Sequence, residues 1–254
     1  MKELTLEEKL NRVKDLRPID DVFFEVLADD TGVCEEILRV ILEDPGLTVE
    51  DVVVQSSKRN LYGRSVRLDA LCTLSEGKKC NIEVQRSDND NHLKRVRFNA
   101  SSITVKESQV GDKFDDILEL YVIYISEFDI FKSGKTVYHI EKTLKETGDV
   151  VNDGLHEIFV NTTIDDGSVI ADLMNCFTKK EVHNANFPKF SKRVHDLKNT
   201  EGGANAMCEV MEKYMAESKL EQLLELVKEG LLKVADAARK ANMSEEEFRA
   251  LLNK

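Results

Sequence analysis

Two short runs on either side of a three-residue link constrain this chain more than any other part of it. From Val66 to Leu74, the side chains of Val66, Leu68, Ala70, Cys72 and Leu74 fall on one face of an extended strand, and those of Arg67, Asp69, Leu71 and Thr73 on the other. From Lys79 to Gln85 the same alternation returns: Cys80, Ile82 and Val84 are apolar, while Lys79, Asn81, Glu83 and Gln85 are polar. The link Ser75-Glu76-Gly77 suits a hairpin with Gly77 in the left-handed conformation. Its length pairs Asp69 with Glu83. A slip of one residue would set Asp69 against Val84 and mix charged and apolar side chains on both faces, so the pattern selects the register in which the two carboxylates are neighbours.

Around this hairpin the spacing predicts an α/β chain. Helices are expected over Leu4 to Val13, over Ile19 to Ala28 with Pro18 at its start, and from a Thr31 cap to about Leu42. Asp44-Pro45-Gly46 ends the third as a turn, and Leu47 to Val54 reads as a first strand. A polar loop, Gln55 to Gly63, follows, with Lys58, Arg59 and Arg64 in or beside it. After the hairpin come a helix over His92 to about Lys106 and a buried strand over Ile117 to Ser126. Shorter strands are expected at Thr136 to Ile140 and His156 to Asn161, with a hairpin-like segment, Lys145 to Gly154, between them. From Asp166 the pattern is helical, with runs at Val169 to Phe177, Phe190 to Leu197 and Met207 to about Ala238. A helix, turn, helix closes the chain over Ala237 to Leu252, with Ser244 and Glu247 as a capping box.

With 41% hydrophobic and 33% charged residues and only 3 Pro and 12 Gly in 254, low-complexity disorder cannot account for most of the chain. No apolar run approaches the length that spans a bilayer, and the start lacks a signal-peptide core, so a cytoplasmic protein with no membrane partner is expected. The five cysteines are scattered and form no C-x-x-C pair, which points to reduced, buried thiols. A net charge of -12 excludes a protein that coats nucleic acid with its whole surface, because such binding draws on counterion release. Any nucleic-acid contact must be local. Basic residues gather at Lys94, Arg95 and Arg97, and again at Lys179 to Lys198. No phosphate-cradling glycine loop and no G-x-S-x-G elbow is present, which removes nucleotide hydrolysis and serine acyl transfer from consideration.

Two acids facing each other across a hairpin repel unless something positive lies between them. Magnesium prefers oxygen ligands and is held by one or two carboxylates together with substrate phosphate oxygens. Gln85, two residues beyond Glu83 on the same face, can orient an attacking water or hydrogen-bond a phosphate, but it brings no positive charge. The alternative is an ordinary hairpin with one solvated face, in which Asp69 pairs with Arg67 or Lys79.

The order helix, strand, Asp-bearing strand, Glu-x-Gln strand, helix, strand resembles the PD-(D/E)XK nuclease superfamily. Arg17-Pro18-Ile19-Asp20-Asp21-Val22-Phe23-Phe24, Arg67-Leu68-Asp69-Ala70 and Asn81-Ile82-Glu83-Val84-Gln85 are similar to its recombination-promoting, transposase-like branch, as are Lys94-Arg95-Val96-Arg97-Phe98 and the strand after them. The resemblance covers about residues 17 to 165. It implies a restriction-endonuclease-like core with a mixed central sheet flanked by helices, placed at residues 1–165, and the helical pattern from Asp166 makes 166–254 an all-helical C-terminal extension. It further implies DNA as substrate, and Mg2+, or Mn2+ in its place, bound by Asp69, Glu83 and the Val84 carbonyl. Gln85 stands where most of the superfamily has Lys. Asp21 and Glu25 are candidates for acidic support of the site, and Arg67, Arg86, Lys94, Arg95 and Arg97 for DNA contact. A non-catalytic relative serving as a binding or oligomerising module is the alternative.

In the closing helix pair, Glu245, Glu246 and Glu247 open the second helix, where a DNA reader would place basic or amide groups. Packing or self-association is therefore the expected role. Leu220, Leu223, Leu224, Val227, Leu231 and Val234 form an apolar stripe suited to a core or to a homo-oligomeric seam.

Overall fold

A computed structural model describes residues 4–58 and 66–252, with the backbone alone described at 55–58, 66 and 67. In chain order the helices are α1 (Leu6–Val13), α2 (Asp21–Ala28), α3 (Thr31–Ile41), α4 (His92–Glu107), α5 (Val169–Thr178), α6 (Pro188–Asn199), α7 (Glu201–Lys228), α8 (Val234–Lys240) and α9 (Glu245–Leu252). The strands are β1 (Val49–Lys58), β2 (Val66–Leu74), β3 (Lys79–Gln85), β4 (Leu120–Ser126), β5 (Val137–Ile140), β6 (Lys142–Thr143), β7 (Val150–Val151) and β8 (Leu155–Asn161). Six of them form one mixed sheet in the order β1-β2-β3-β4-β8-β5, and β6 and β7 make a separate ribbon. β1, β2 and β3 are antiparallel, β3, β4 and β8 parallel, and β5 returns antiparallel to β8.

The two faces of the sheet are covered differently, which decides where polar groups are buried. Ala70, Cys72, Cys80, Ile82, Val84, Ile123 and Ile125 point into the larger core, built with α2, α3, α5 and α6. Leu71, Val122, Tyr124 and Phe159 point the other way, onto Val96, Ala100 and Ile103 of α4. Because β3 and β4 are parallel, the chain between them must cross over, and α4 is that crossover. The polar face of β3 is therefore roofed by α4 and not solvated. Phe177, Phe190, Leu197 and Met207 belong to the same large core, so its packing runs continuously past residue 165 into α5, α6 and α7. A smaller cluster of Leu223, Ala237, Ala238 and Phe248 joins α7 to α8 and α9.

Three local expectations are corrected. Asp30, not Thr31, caps α3, accepting from the Gly32 and Val33 N–H groups. The helix expected to run from Met207 to Ala238 ends at Lys228, because Gly230 adopts a φ of 74° and turns the chain before α8. Leu68, expected beside Ala70, packs with Leu71 in the α4-side core. All five cysteines are free and buried. No helix among the described residues is long and apolar enough to cross a membrane.

Candidate active site

The hairpin register brings the two acids together. Ala70 opposes Ile82, Leu71 opposes Asn81 and Cys72 opposes Cys80; Asp69 and Glu83 are the next residues of the two strands, Asp69 accepts from the N–H of Val84 beside Glu83, and the Glu83 charge acts on it. The Leu74 N–H bonds the Lys78 carbonyl at 2.8 Å to close the turn, in which both Glu76 and Gly77 have positive φ. Counting alternate hydrogen-bonded pairs from that bond, the Val84 N–H would be expected to bond the Leu68 carbonyl. It donates to Asp69 Oδ2 at 3.0 Å instead. A side-chain oxygen thus replaces a main-chain one where β2 parts from β3.

Glu83 is 1% exposed. Its Oε1 accepts from Asn81 Nδ2 at 2.8 Å and from Asn99 Nδ2 of α4, whereas its Oε2 has no hydrogen-bond partner among the described residues. Arg95 Nε lies 3.6 Å from that oxygen. Burial raises the Glu83 carboxyl above its ordinary range, opposed by Arg95 and the two asparagine amides. Burial first, and then the Glu83 charge, push Asp69 up to about 8 against the pull of the Val84 N–H, and Asp21 adds to the push.

Gln85 is half-buried at the end of β3, its Oε1 accepting from Arg95 Nη1 at 2.9 Å and its Nε2 donating to the Ser87 carbonyl at 3.0 Å. Asp21, Gln85, Arg86 and Tyr214 line a cleft of about 310 Å3 at this end of the sheet. The carboxyl ends of parallel strands, where an α/β sheet opens, are where ligands gather in such folds. A larger cavity of about 610 Å3, among Glu36, Val40 and Phe187, touches none of these residues.

The remaining candidates separate. Glu25 is buried against α7, with Lys213 Nζ 3.5 Å from its Oε1. Arg86 is tied to Asp20 at 2.6 Å and to Glu127 at 3.3 Å, and Arg17 pairs with the same Glu127. Lys94 and Arg97 stand exposed on the outer side of α4 and have no ion-pair partner among the described residues. The Arg67 side chain lies outside the described residues, as do Lys58, Arg59 and Arg64. Lys79 bonds Thr73 and pairs with Glu107, not with Asp69. Among the histidines, His92 bonds Tyr124 at 2.9 Å and Asp88 at 3.0 Å, and His156 bonds Glu119 at 2.9 Å while stacking on Tyr121.

Asn99 was not among the residues singled out from the sequence. One signal could have found it: it follows Val96 by three and precedes Ala100 and Ile103 on the apolar stripe of α4, where an amide needs a reason to be buried.

No group of three or more His, Cys, Asp or Glu side chains arranged to hold a metal is present among the described residues; the candidate donors are two carboxylates and a carbonyl. These are all oxygens. The unsatisfied Glu83 Oε2 and the elevated Asp69 mark a place where a cation would relieve buried negative charge, so the donor set fits magnesium.

Fold and site together define an α/β protein with a roofed carboxylate pair at the open end of a mixed sheet. The family described as PD-(D/E)XK nuclease family transposase matches residues 34–163, just over half of the chain, and the chain belongs to that family. No curated protein and no solved structure matches it. A nuclease or transposase type of function follows from the family.

Proposed function

We propose that the protein is a metal-dependent DNA endonuclease of mobile-element recombination or anti-phage defence. One observation carries this: Asp69 and Glu83 lie close enough for their charges to interact, largely out of water, with a buried carboxylate oxygen left unsatisfied. Such an arrangement is destabilising in itself and is kept where a cation and a substrate phosphate complete it.

Asp69, Glu83 and the Val84 carbonyl would hold Mg2+, or Mn2+. When bound, such an ion polarises a phosphodiester and lowers the pKa of a water ligand. The chain's own residues do the rest. Asn81 and Asn99 fix the Glu83 carboxylate by hydrogen bonds, and the Val84 N–H fixes Asp69, so both acids present set directions. Gln85, whose Nε2 already donates to the Ser87 carbonyl, would orient a water or a phosphate oxygen with the second hydrogen of that amide. Lys94 and Arg97, exposed along α4 beside the site, would grip the DNA backbone, which keeps the contact local on a chain of net charge -12.

Plasmid and duplex oligonucleotides incubated with Mg2+ or Mn2+ test this. Wild type should cut, and Asp69→Ala and Glu83→Ala should remain folded and cut at least about a hundred-fold more slowly. Equal cutting by wild type and variants would end the assignment. Isothermal titration with Mn2+ should show binding that Asp69→Asn abolishes. A protein that binds no metal and cuts neither DNA nor RNA would instead be a non-catalytic relative.

A further inference from the structure

Attack on a phosphodiester adds negative charge to the phosphate oxygens, and a pair of buried carboxylates opposes that charge. Gln85 is neutral. Among the described residues, the other basic side chains around the site are ion-paired or exposed: Arg86 pairs with Asp20 and Glu127, and Lys94 and Arg97 are exposed on α4. Arg95 is different. It reaches from α4 to the carboxylates, with Nε 3.6 Å from Glu83 Oε2 and Nη1 donating to Gln85 Oε1 at 2.9 Å. Its side chain is 34% exposed, and its guanidinium bridges from Glu83 to Gln85 at the end of β3. A guanidinium carries five N–H donors in a planar fork, and beyond the bond to Gln85 the rest have no hydrogen-bond partner among the described residues.

We infer that Arg95 is a catalytic residue, its guanidinium stabilising the charge that develops on the scissile phosphate oxygens in the transition state, with Gln85 as the positioning residue that aims it. This rests on the nuclease assignment and sharpens it. In the step itself, a water oxygen bonds phosphorus and gives up its proton to solvent. The ester bond to the leaving sugar oxygen breaks, and that oxygen takes a proton from solvent. Arg95 stays charged throughout. Gln85 thereby acquires a task that does not require it to touch water, and the positive charge of the site comes from a helix and not from β3.

The test compares wild type, Arg95→Ala and the double variant Arg95→Ala with Gln85→Lys, which moves a positive charge to the neighbouring position. Single-turnover cutting, duplex affinity in chelator and melting temperature are read for each. Arg95→Ala should cut about a hundred-fold more slowly or worse, with duplex affinity in chelator within about threefold of wild type, and the double variant should regain at least about tenfold. Should Arg95→Ala not fold, Arg95→Gln, which keeps a donor but no charge, takes its place with the same expectation. The inference is overturned if the variant cuts within threefold of wild type, if it loses duplex affinity and cutting together, or if a folded double variant regains nothing. A wild-type protein that cuts no DNA would overturn the nuclease assignment itself. Wild-type cutting with an unaffected Arg95→Ala would overturn this inference alone.

Discussion

Asp69 holds its proton far above the ordinary carboxylate range because burial and the Glu83 charge both disfavour its ionised form. In the unfolded chain it titrates near its ordinary value, so between about pH 4 and pH 8 the folded protein binds more protons than the unfolded one. Stability of the metal-free protein therefore falls as pH rises through that window, the reverse of a salt-bridged acid. Thermal melts in chelator should show a melting temperature that declines from pH 5 to pH 8, and Asp69→Asn should flatten the decline; a rising profile for wild type would refute the burial-driven shift. That two carboxylates would be neighbours was legible from the alternation on either side of Ser75-Glu76-Gly77. What Glu83 bonds was not, since Asn99 lies on a separate element and its contact depends on how α4 crosses the sheet. For the same reason the ties of Arg86 to Asp20 and Glu127, remote in sequence, could not be foreseen.

At the level of elements, most boundaries followed from period and punctuation: the strands of the sheet, the crossover helix and the capping box at Ser244 each carry a local signal. The end of α7 was missed because apolar spacing continues across Gly230 into Val234, and periodicity alone does not register one residue of left-handed backbone. Two adjacent glycines in α7 show how much tertiary packing adds to propensity. A Cβ on Gly203 would lie 2.2 Å from the Asp196 carbonyl oxygen and 2.5 Å from the Leu197 Cα, whereas one on Gly202 would meet nothing within 4 Å. Gly203→Ala should force α6 and α7 apart and destabilise by about 2 kcal/mol or more, while Gly202→Ala should stabilise by roughly 0.5 kcal/mol through helix propensity. Paired denaturant titrations check this, and equal effects at both positions would contradict the close approach.

Across the whole molecule, the parts far apart in sequence are tied by a few buried polar contacts. Lys198 of α6 is 4% exposed, lies 5.5 Å above the Phe23 ring, and donates to the carbonyls of Lys14, Leu16 and Lys180. One ammonium thus satisfies backbone acceptors from the end of α1 and from the segment between α5 and α6, where no helix or strand could do so. Lys198→Met keeps the stem and leaves those carbonyls unpaired. A loss of about 2–4 kcal/mol is expected on urea titration, with the transition still a single step; a loss under about 0.5 kcal/mol would mean that water replaces the ammonium. The turn between β2 and β3 acts at this scale too, as a length gauge. Shortening Ser75–Gly77 by one residue would have to be absorbed either by unzipping the ladder or by carrying Glu83 through the sheet, away from Asn99 and toward the α2 side. Tolerance for indels at that distant tip is therefore set by carboxylate chemistry at the other end of the strands.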